Sequence, residues 1–296
     1  MNAPLSNARP PTADLDRLLV ELRPKLHRYC SRMTGSVIDG EDAVQDAMAK
    51  ALQAAPDLAA LGNPEGWLFR IAQNAAHDIM RRRARRAEVA LDEQDAIAPH
   101  AVAASTSLRA FLALPPAQRS AVVLMDVLGY SLAEICEIEG ASLASVKAAL
   151  HRGRARLRRL AEPGAVISPL TTVELGLLRG YVDRFNAGDF DGLRDMLADE
   201  VRLELVNHVS MAGRSDVGSY FGNYERGSPV RLTLGAVDGR PAALAMEPEA
   251  SEPAYFILLG WAGDRVSAIR DFRYARYAME GADLAYSAGS GSFTTS

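Results

Sequence analysis

Five arginines crowd into six positions, 81 to 86, directly behind a helical stretch that carries Trp67, Asn74 and Asp78. The chemistry of that group is nucleic-acid contact. Arginines neutralise phosphates, amide and carboxylate groups hydrogen-bond base edges, and an indole stacks on an unpaired base. A helix C-terminus favours cations through its dipole, but five arginines exceed what the dipole needs. A second basic group runs from Ser142 to Arg159. There Leu143, Val146, Leu150, Leu157 and Leu160 follow steps of three and four and form one buried stripe. Ser145, Arg152, Arg156 and Arg159 fall on one exposed flank, and Lys147, His151, Arg154 and Arg158 on another. A helix apolar on one side and cationic on the rest suits a groove lined by phosphates. A third group is acidic: Glu41, Asp42, Gln45 and Asp46 edge a helix whose apolar face is Ala43, Val44, Ala47, Met48, Ala51 and Leu52. Acids in a first helical turn also suit the dipole.

The elements that must position these groups are mostly helices. Ser131–Cys136, the turn Glu139-Gly140-Ala141-Ser142 and Leu143–Arg152 have the shape of a helix-turn-helix. Upstream, Asp14 to Met33 reads as an amphipathic helix that Pro24 bends or splits. Asn63-Pro64-Glu65-Gly66 opens the helix leading to the arginines. A helix over 108–114 stops at Pro115-Pro116, and Ala117-Gln118-Arg119-Ser120 opens the next. Residues 88–107 have no sustained period and read as a linker between two all-α domains, 12–87 and 108–162.

Pro163-Gly164 and Ser168-Pro169 mark a further boundary. Beyond it, Thr172–Ala187 and Asp191–Leu197 read as helices and 213–221 as a third. Strands are expected at 201–206, 230–234, 242–246, 255–259 and 266–274. This makes an α+β domain over 170–280, followed by a Gly/Ser-rich tail, 281–296, expected to be disordered.

Length and composition agree with a multidomain globular chain. The 296 residues are 48% hydrophobic and 24% charged, with a net charge of −4. The charge is uneven: residues 1–163 carry 21 basic against 19 acidic groups, and the remainder 12 against 18. Basic DNA-facing surfaces beside an acidic half suggest intramolecular docking of the second half on the first. Cys30 and Cys136 lack metal-ligand spacing and read as buried thiols of a reducing compartment. The five His form no ligand cluster, so neither metal nor cofactor is expected. No stretch is apolar for long enough to span a bilayer, and residues 1–11 contain no signal-like run; the expected location is the cytoplasm, without membrane contact. In the second half His208, Tyr220, Tyr255, Trp261 and Asp271 are the candidates for a pocket. Asp271 reads as a carboxylate on a sheet face, beside Arg270 and Arg273.

Three separated motifs carry a family resemblance. They are Glu41-Asp42-Ala43-Val44-Gln45-Asp46-Ala47, Gly66-Trp67-Leu68-Phe69-Arg70-Ile71-Ala72-Gln73-Asn74 with Asp78 and Arg81, and Leu114-Pro115-Pro116-Ala117-Gln118-Arg119 leading into the helix-turn-helix. Together they resemble bacterial RNA polymerase sigma factors of the extracytoplasmic-function (ECF) group. The resemblance implies that Glu41, Asp42, Gln45 and Asp46 bind the clamp helices of the polymerase β′ subunit, with the β flap as a second contact. It places Trp67, Asn74, Asp78, Arg81, Arg82 and Arg85 at the −10 promoter element. It places Ser142, Ser145, Lys147, His151, Arg152 and Arg154 in the major groove of the −35 element. Where that family often has Ser-Arg after the lysine of this helix, Ala148 and Ala149 stand here. The words Tyr181-Val182-Asp183-Arg184-Phe185-Asn186-Ala187-Gly188-Asp189-Phe190 and Leu197-Ala198-Asp199-Glu200-Val201 resemble SnoaL-like cones, helices followed by a curved antiparallel sheet. Some sigma factors carry such a cone as a built-in regulator.

Two functions follow. In the first, the chain binds core RNA polymerase and promoter DNA to start transcription and is no enzyme, its C-terminal domain tuning the activity. In the second, an isomerase- or cyclase-type SnoaL-like enzyme carries DNA-binding helices.

Overall fold

The computed structural model describes residues 11–54, 58–92, 106–160, 172–225, 229–288 and 292–295. It divides into two compact units: Met1–His100 with Leu108–Pro163, and Ala101–Ser107 with Gly164–Ser296. The expected linker residues 93–105 and the boundary Pro163–Pro169 lie outside the described residues.

The first unit is all helical. Helix α1, Pro11–Thr34, is one element despite Pro24 inside it, where the sequence suggested a bend or a split. An interior proline costs a helix about 3 kcal/mol, and the buried Leu15, Leu19, Leu22, Leu26, Tyr29 and Met33 offset it. Helix α2, Val37–Ala54, crosses α1 closely because Gly40 has no side chain. A Cβ there would sit 2.7 Å from the main-chain N and Cα of Ser31. Helix α3, Pro64–Asp92, runs past the arginines and takes in the first residues of the expected linker. Helices α4, Thr106–Leu112, and α5, Pro116–Val122, follow, and Val123–Val127 continues α5 as a π-helical turn.

The helix-turn-helix is α6, Leu132–Glu139, and α7, Leu143–Leu160. Ser131 and Glu134 close a reciprocal capping box at the start of α6. Gly140 ends α6 at φ 61°, a left-handed conformation that glycine adopts without strain. All seven helices contribute to one arrangement in which a single continuous core runs from Leu15 to Leu150. The two helical domains read from the sequence therefore share their interior.

The second unit is α+β. Helices α8 (Thr172–Ala187), α9 (Phe190–Asp195), α10 (Arg214–Tyr220) and α11 (Gly222–Glu225) pack with an eight-stranded sheet. Its strands are β1 (Leu197–Leu205), β2 (Val209–Ala212), β3 (Arg231–Val237), β4 (Arg240–Met246), β5 (Tyr255–Ala262), β6 (Arg265–Asp271), β7 (Leu284–Ala288) and β8 (Ser292–Thr295), in the order β2-β1-β6-β5-β4-β3-β7-β8. The five expected strands are present. Two corrections apply. The sheet is mixed rather than antiparallel, since β1 pairs β6 in parallel. The tail is not structureless: β7 adds to β3 through Gly235–Tyr286 and its neighbours, and β8 pairs β7. Main-chain pairing at an open sheet edge needs no strand-forming side chains, so a Gly/Ser-rich composition hides it.

Candidate nucleic-acid interface

Helix α3 presents three kinds of surface. Leu68, Phe69, Ala72, Ala75 and Ala76 are buried in the core. Arg70 donates to Glu137 O and Ile138 O at the end of α6, and Gln73 Nε2 lies 3.4 Å from Ser120 Oγ of α5. Asn74, Arg81, Arg82 and Arg85 are exposed and Asp78 is half-exposed. Trp67 is half-buried and packs against the core rather than standing free.

The exposed cations are arranged by acids. Arg82 Nη2 lies 3.1 Å from Asp46 Oδ2 of α2, and Lys50 Nζ lies 3.6 Å from Asp78. Arg81 also bonds Asp78, and that hydrogen bond holds the Asp78 carboxyl below its ordinary range. Asp46, Lys50, Asp78, Arg81, Arg82 and Arg85 together line an open cleft of about 600 Å³. Such ion pairs, half in solvent, contribute under about 1 kcal/mol each. They orient the cations without tying them up.

The acidic edge of α2 differs from the expectation. Glu41 is fully buried and bonded to Arg23 of α1. The close α1–α2 crossing at Gly40 seals it, so Glu41 cannot meet a partner. Asp42, Gln45 and Asp46 remain half-exposed along the outer edge.

On α7, Ser145, Lys147, His151, Arg152 and Arg154 are exposed, and Val146, Ala149 and Leu150 are buried. Ser142 caps the helix, its Oγ accepting from Ser145 N at 3.2 Å. Ala149 faces the interior, which accounts for a small residue there. The two flanks differ in surroundings. Arg154 is clasped by Asp126, with Nε 2.9 Å from Oδ2, and this pairing raises its guanidinium further. Arg154, Lys147, His151 and Arg158 rim a groove of about 310 Å³ floored by Met125, Leu132 and Leu150. Arg152 lies on the opposite, open flank. Two exposed cationic helical surfaces thus stand on one unit, with half-exposed acids beside the first.

Two family descriptions match this unit: Sigma-70 region 2 over residues 18–86, and Sigma-70, region 4 over residues 108–157. The ECF RNA polymerase sigma factor SigM of Mycobacterium tuberculosis is 34% identical over 148 residues, covering 49% of this chain and 76% of that protein. The chain belongs to the ECF RNA polymerase sigma factors. SigG of M. tuberculosis, another ECF sigma factor, is 29% identical over 291 residues, covering 84% of this chain and 78% of that protein. Among solved structures, the M. tuberculosis ECF sigma factor SigJ aligns with a TM-score of 0.36 at 20% identity, over 87% of this chain and 95% of that one. The sigma factor RpoE of Bartonella quintana, solved with the anti-sigma factor NepR, aligns at 0.41 and 27%, over 50% and 96%.

The second unit of this sigma factor holds a buried polar cluster. Tyr220 Oη is 2.7 Å and Tyr224 Oη 3.2 Å from Asp271 Oδ2, while Arg273 N donates to Oδ1 at 2.9 Å. Tyr255 Oη joins through Tyr224 at 3.4 Å. Burial raises the Asp271 carboxyl, and the Tyr220 hydroxyl opposes that rise. Burial also raises all three tyrosines. Asp271 is therefore a core group, not a surface carboxylate; Arg270 bonds Glu204 instead, at 2.8 Å. Of the pocket candidates, Tyr220, Tyr255 and Asp271 converge and the others do not. His208 is exposed and stacks on Tyr274 with centroids 4.4 Å apart. Trp261 is half-buried at a register shift in β5. Among the described residues no group of three or more His, Cys, Asp or Glu is placed to hold a metal ion, and no helix is long and apolar enough to cross a membrane.

Proposed function

We propose that α3 engages the −10 element through Asn74, Asp78, Arg81, Arg82 and Arg85, with Trp67 buttressing the surface. Helix α7 takes the −35 element through Ser142, Ser145, Lys147, His151, Arg152 and Arg154. Asp42, Gln45 and Asp46 meet the β′ clamp helices of core polymerase, and the β flap meets the helix-turn-helix segment. The observation that carries this reading is the cleft where Arg81, Arg82 and Arg85 stand exposed beside Asn74 and Asp78. Those cations exceed what the fold uses, and phosphate neutralisation employs them. The C-terminal unit tunes the output of the helical unit.

Promoter templates with one element scrambled test the assignments. Arg152→Glu is expected to lower run-off from the intact template and to abolish sensitivity to the −35 sequence, leaving −10 sensitivity in place. Equal −35 dependence in wild type and variant removes the α7 assignment. Asp42→Lys with Asp46→Lys is expected to lose co-elution with core polymerase; retained co-elution removes the acidic-edge assignment. Truncation after Pro163 is expected to change transcript yield, and an unchanged yield removes the regulatory role.

A further inference from the structure

Leu143 belongs by its spacing to the buried stripe of α7, but the structure leaves it 47% exposed. Val146, Ala149 and Leu150 fill the core beneath the helix, with Leu157 packed against them, and Leu143 stands outside it. The seat of α7 is fixed further along, at Gly153. A Cβ there would lie 2.8 Å from Val122 Cγ2 and 3.2 Å from Gln118 O of α5. With Val146, Leu150 and Gly153 turned inward, the outward side of α7 follows from the helical period. Leu143, Lys147 and His151, in steps of four, form one flank. Ala144 and Ala148 lie along the middle, and Ser145 and Arg152 form the other flank.

Single exposed leucines are ordinary on protein surfaces. Among the described residues of the helical unit, Val20, Leu52 and Leu143 are the exposed large hydrophobic side chains. Of these, Leu143 alone lies on a surface assigned to DNA. It sits in the first turn, the part of a recognition helix that meets base edges. The Ser142 hydroxyl beside it is engaged with Ser145 N. The first two turns therefore offer hydrocarbon at Leu143, Ala144 and Ala148, framed by Ser145 and Lys147.

Base edges in the major groove are polar with one exception, the C5-methyl of thymine. Leucine set against a cytosine amino group or a guanine oxygen leaves that group unpaired, whereas against the thymine methyl it withdraws more apolar surface from water. Both effects favour the same base. We infer that Leu143 is a specificity-determining residue for the −35 element, resting on the C5-methyl of a thymine. Ala144 and Ala148 let the base pair come close, and Lys147 and Arg152 hold the flanking phosphates. The inference rests on the assignment of α7 to the −35 element and names what that surface reads.

The test uses the full chain with core polymerase. A template library randomised across the −35 element is selected by transcription, and wild-type protein is expected to enrich thymine at one or more positions, on either strand. Each such thymine is then replaced by uracil, which lacks only the C5-methyl. At one of them, run-off below saturation is expected to fall about fourfold, the worth of one methyl group withdrawn from water. Leu143→Ala is expected to give equal run-off from thymine and uracil at that position. Thymine and uracil are compared within each protein, so a general loss of folding or of polymerase affinity cancels, and the wild-type scan stands without the variant. Wild type that selects a −35 sequence without thymine, or is indifferent to uracil at every thymine, overturns the inference and leaves the α7 assignment in place. A Leu143→Ala protein that separates thymine from uracil as wild type does also overturns it. Wild type that selects nothing across the −35 element overturns instead the assignment on which the inference rests.

Discussion

Arg119 and Asp271 are both charges sealed from solvent, one in each unit, and they are held in opposite ways. Arg119 is satisfied by carbonyl oxygens from three places, including Met33, 86 residues away, and its Nε finds no partner. Asp271, at the end of β6, is satisfied within one unit, by two tyrosine hydroxyls from α10 and α11 and an adjacent amide. The first charge joins three segments of the helical unit, α1 and both sides of the turn before α5. The second completes a core that closes on itself. A buried charge with main-chain acceptors across a seam marks a junction, whereas one ringed by side chains of a single core marks an interior.

That contrast is broken or sharpened by substitution, the largest effect first. Arg119→Met should cost the helical unit about 3–5 kcal/mol, because three carbonyls lose their donor together; urea denaturation of the full chain measures it. A loss under about 1 kcal/mol would show that the seam is not held there. Asp271→Ala should cost the C-terminal unit about 2–3 kcal/mol through unsatisfied tyrosine hydroxyls. Asp271→Asn, which still accepts a hydrogen bond, should cost less. Calorimetry with two resolved transitions assigns each loss to its unit.

A pH series sharpens the same pair. Burial raises Asp271 above the unfolded value of about 3.9. Between those two values the folded state binds more protons than the unfolded state, so this group makes stability fall as pH rises through that window, and level off above it. The Asp271→Asn variant should lack that slope, and a slope that survives it belongs to another group. The smallest expected effect lies on the exposed face. Asp46→Ala, which leaves Arg82 without its 3.1 Å partner, should change stability by less than about 1 kcal/mol. A larger change would mean that the cleft is structural.

The exposed charges and the apolar stripes were legible in the sequence, and the buried charges were not. The arginines at 81, 82 and 85 and the flanks of α7 stood out because cations there exceed what a helix end requires. The helix-turn-helix could be read because Ser131, Glu134 and Gly140 cap it by local rules. Nothing local marks Arg119 as buried, since its acceptor at Met33 is joined to it only by tertiary packing. Glu41 obeyed the pattern of a first-turn acid. It is buried because Gly40 lets α1 come within contact of α2 and Arg23 meets it there. Asp271 sat between two arginines that suggested pairing, while its partners came from α10 and α11. Strands β7 and β8 left no trace because a Gly/Ser-rich composition lacks the alternating apolar side chains that mark a strand.

Run-off transcription with core polymerase and the triple reversal Arg81→Glu, Arg82→Glu and Arg85→Glu reads the account most directly. The wild-type chain should initiate at a −10/−35 promoter, and the variant, folded by circular dichroism and still bound to polymerase, should be silent. Equal transcript from both proteins would contradict the assignment of the α3 cleft to promoter DNA.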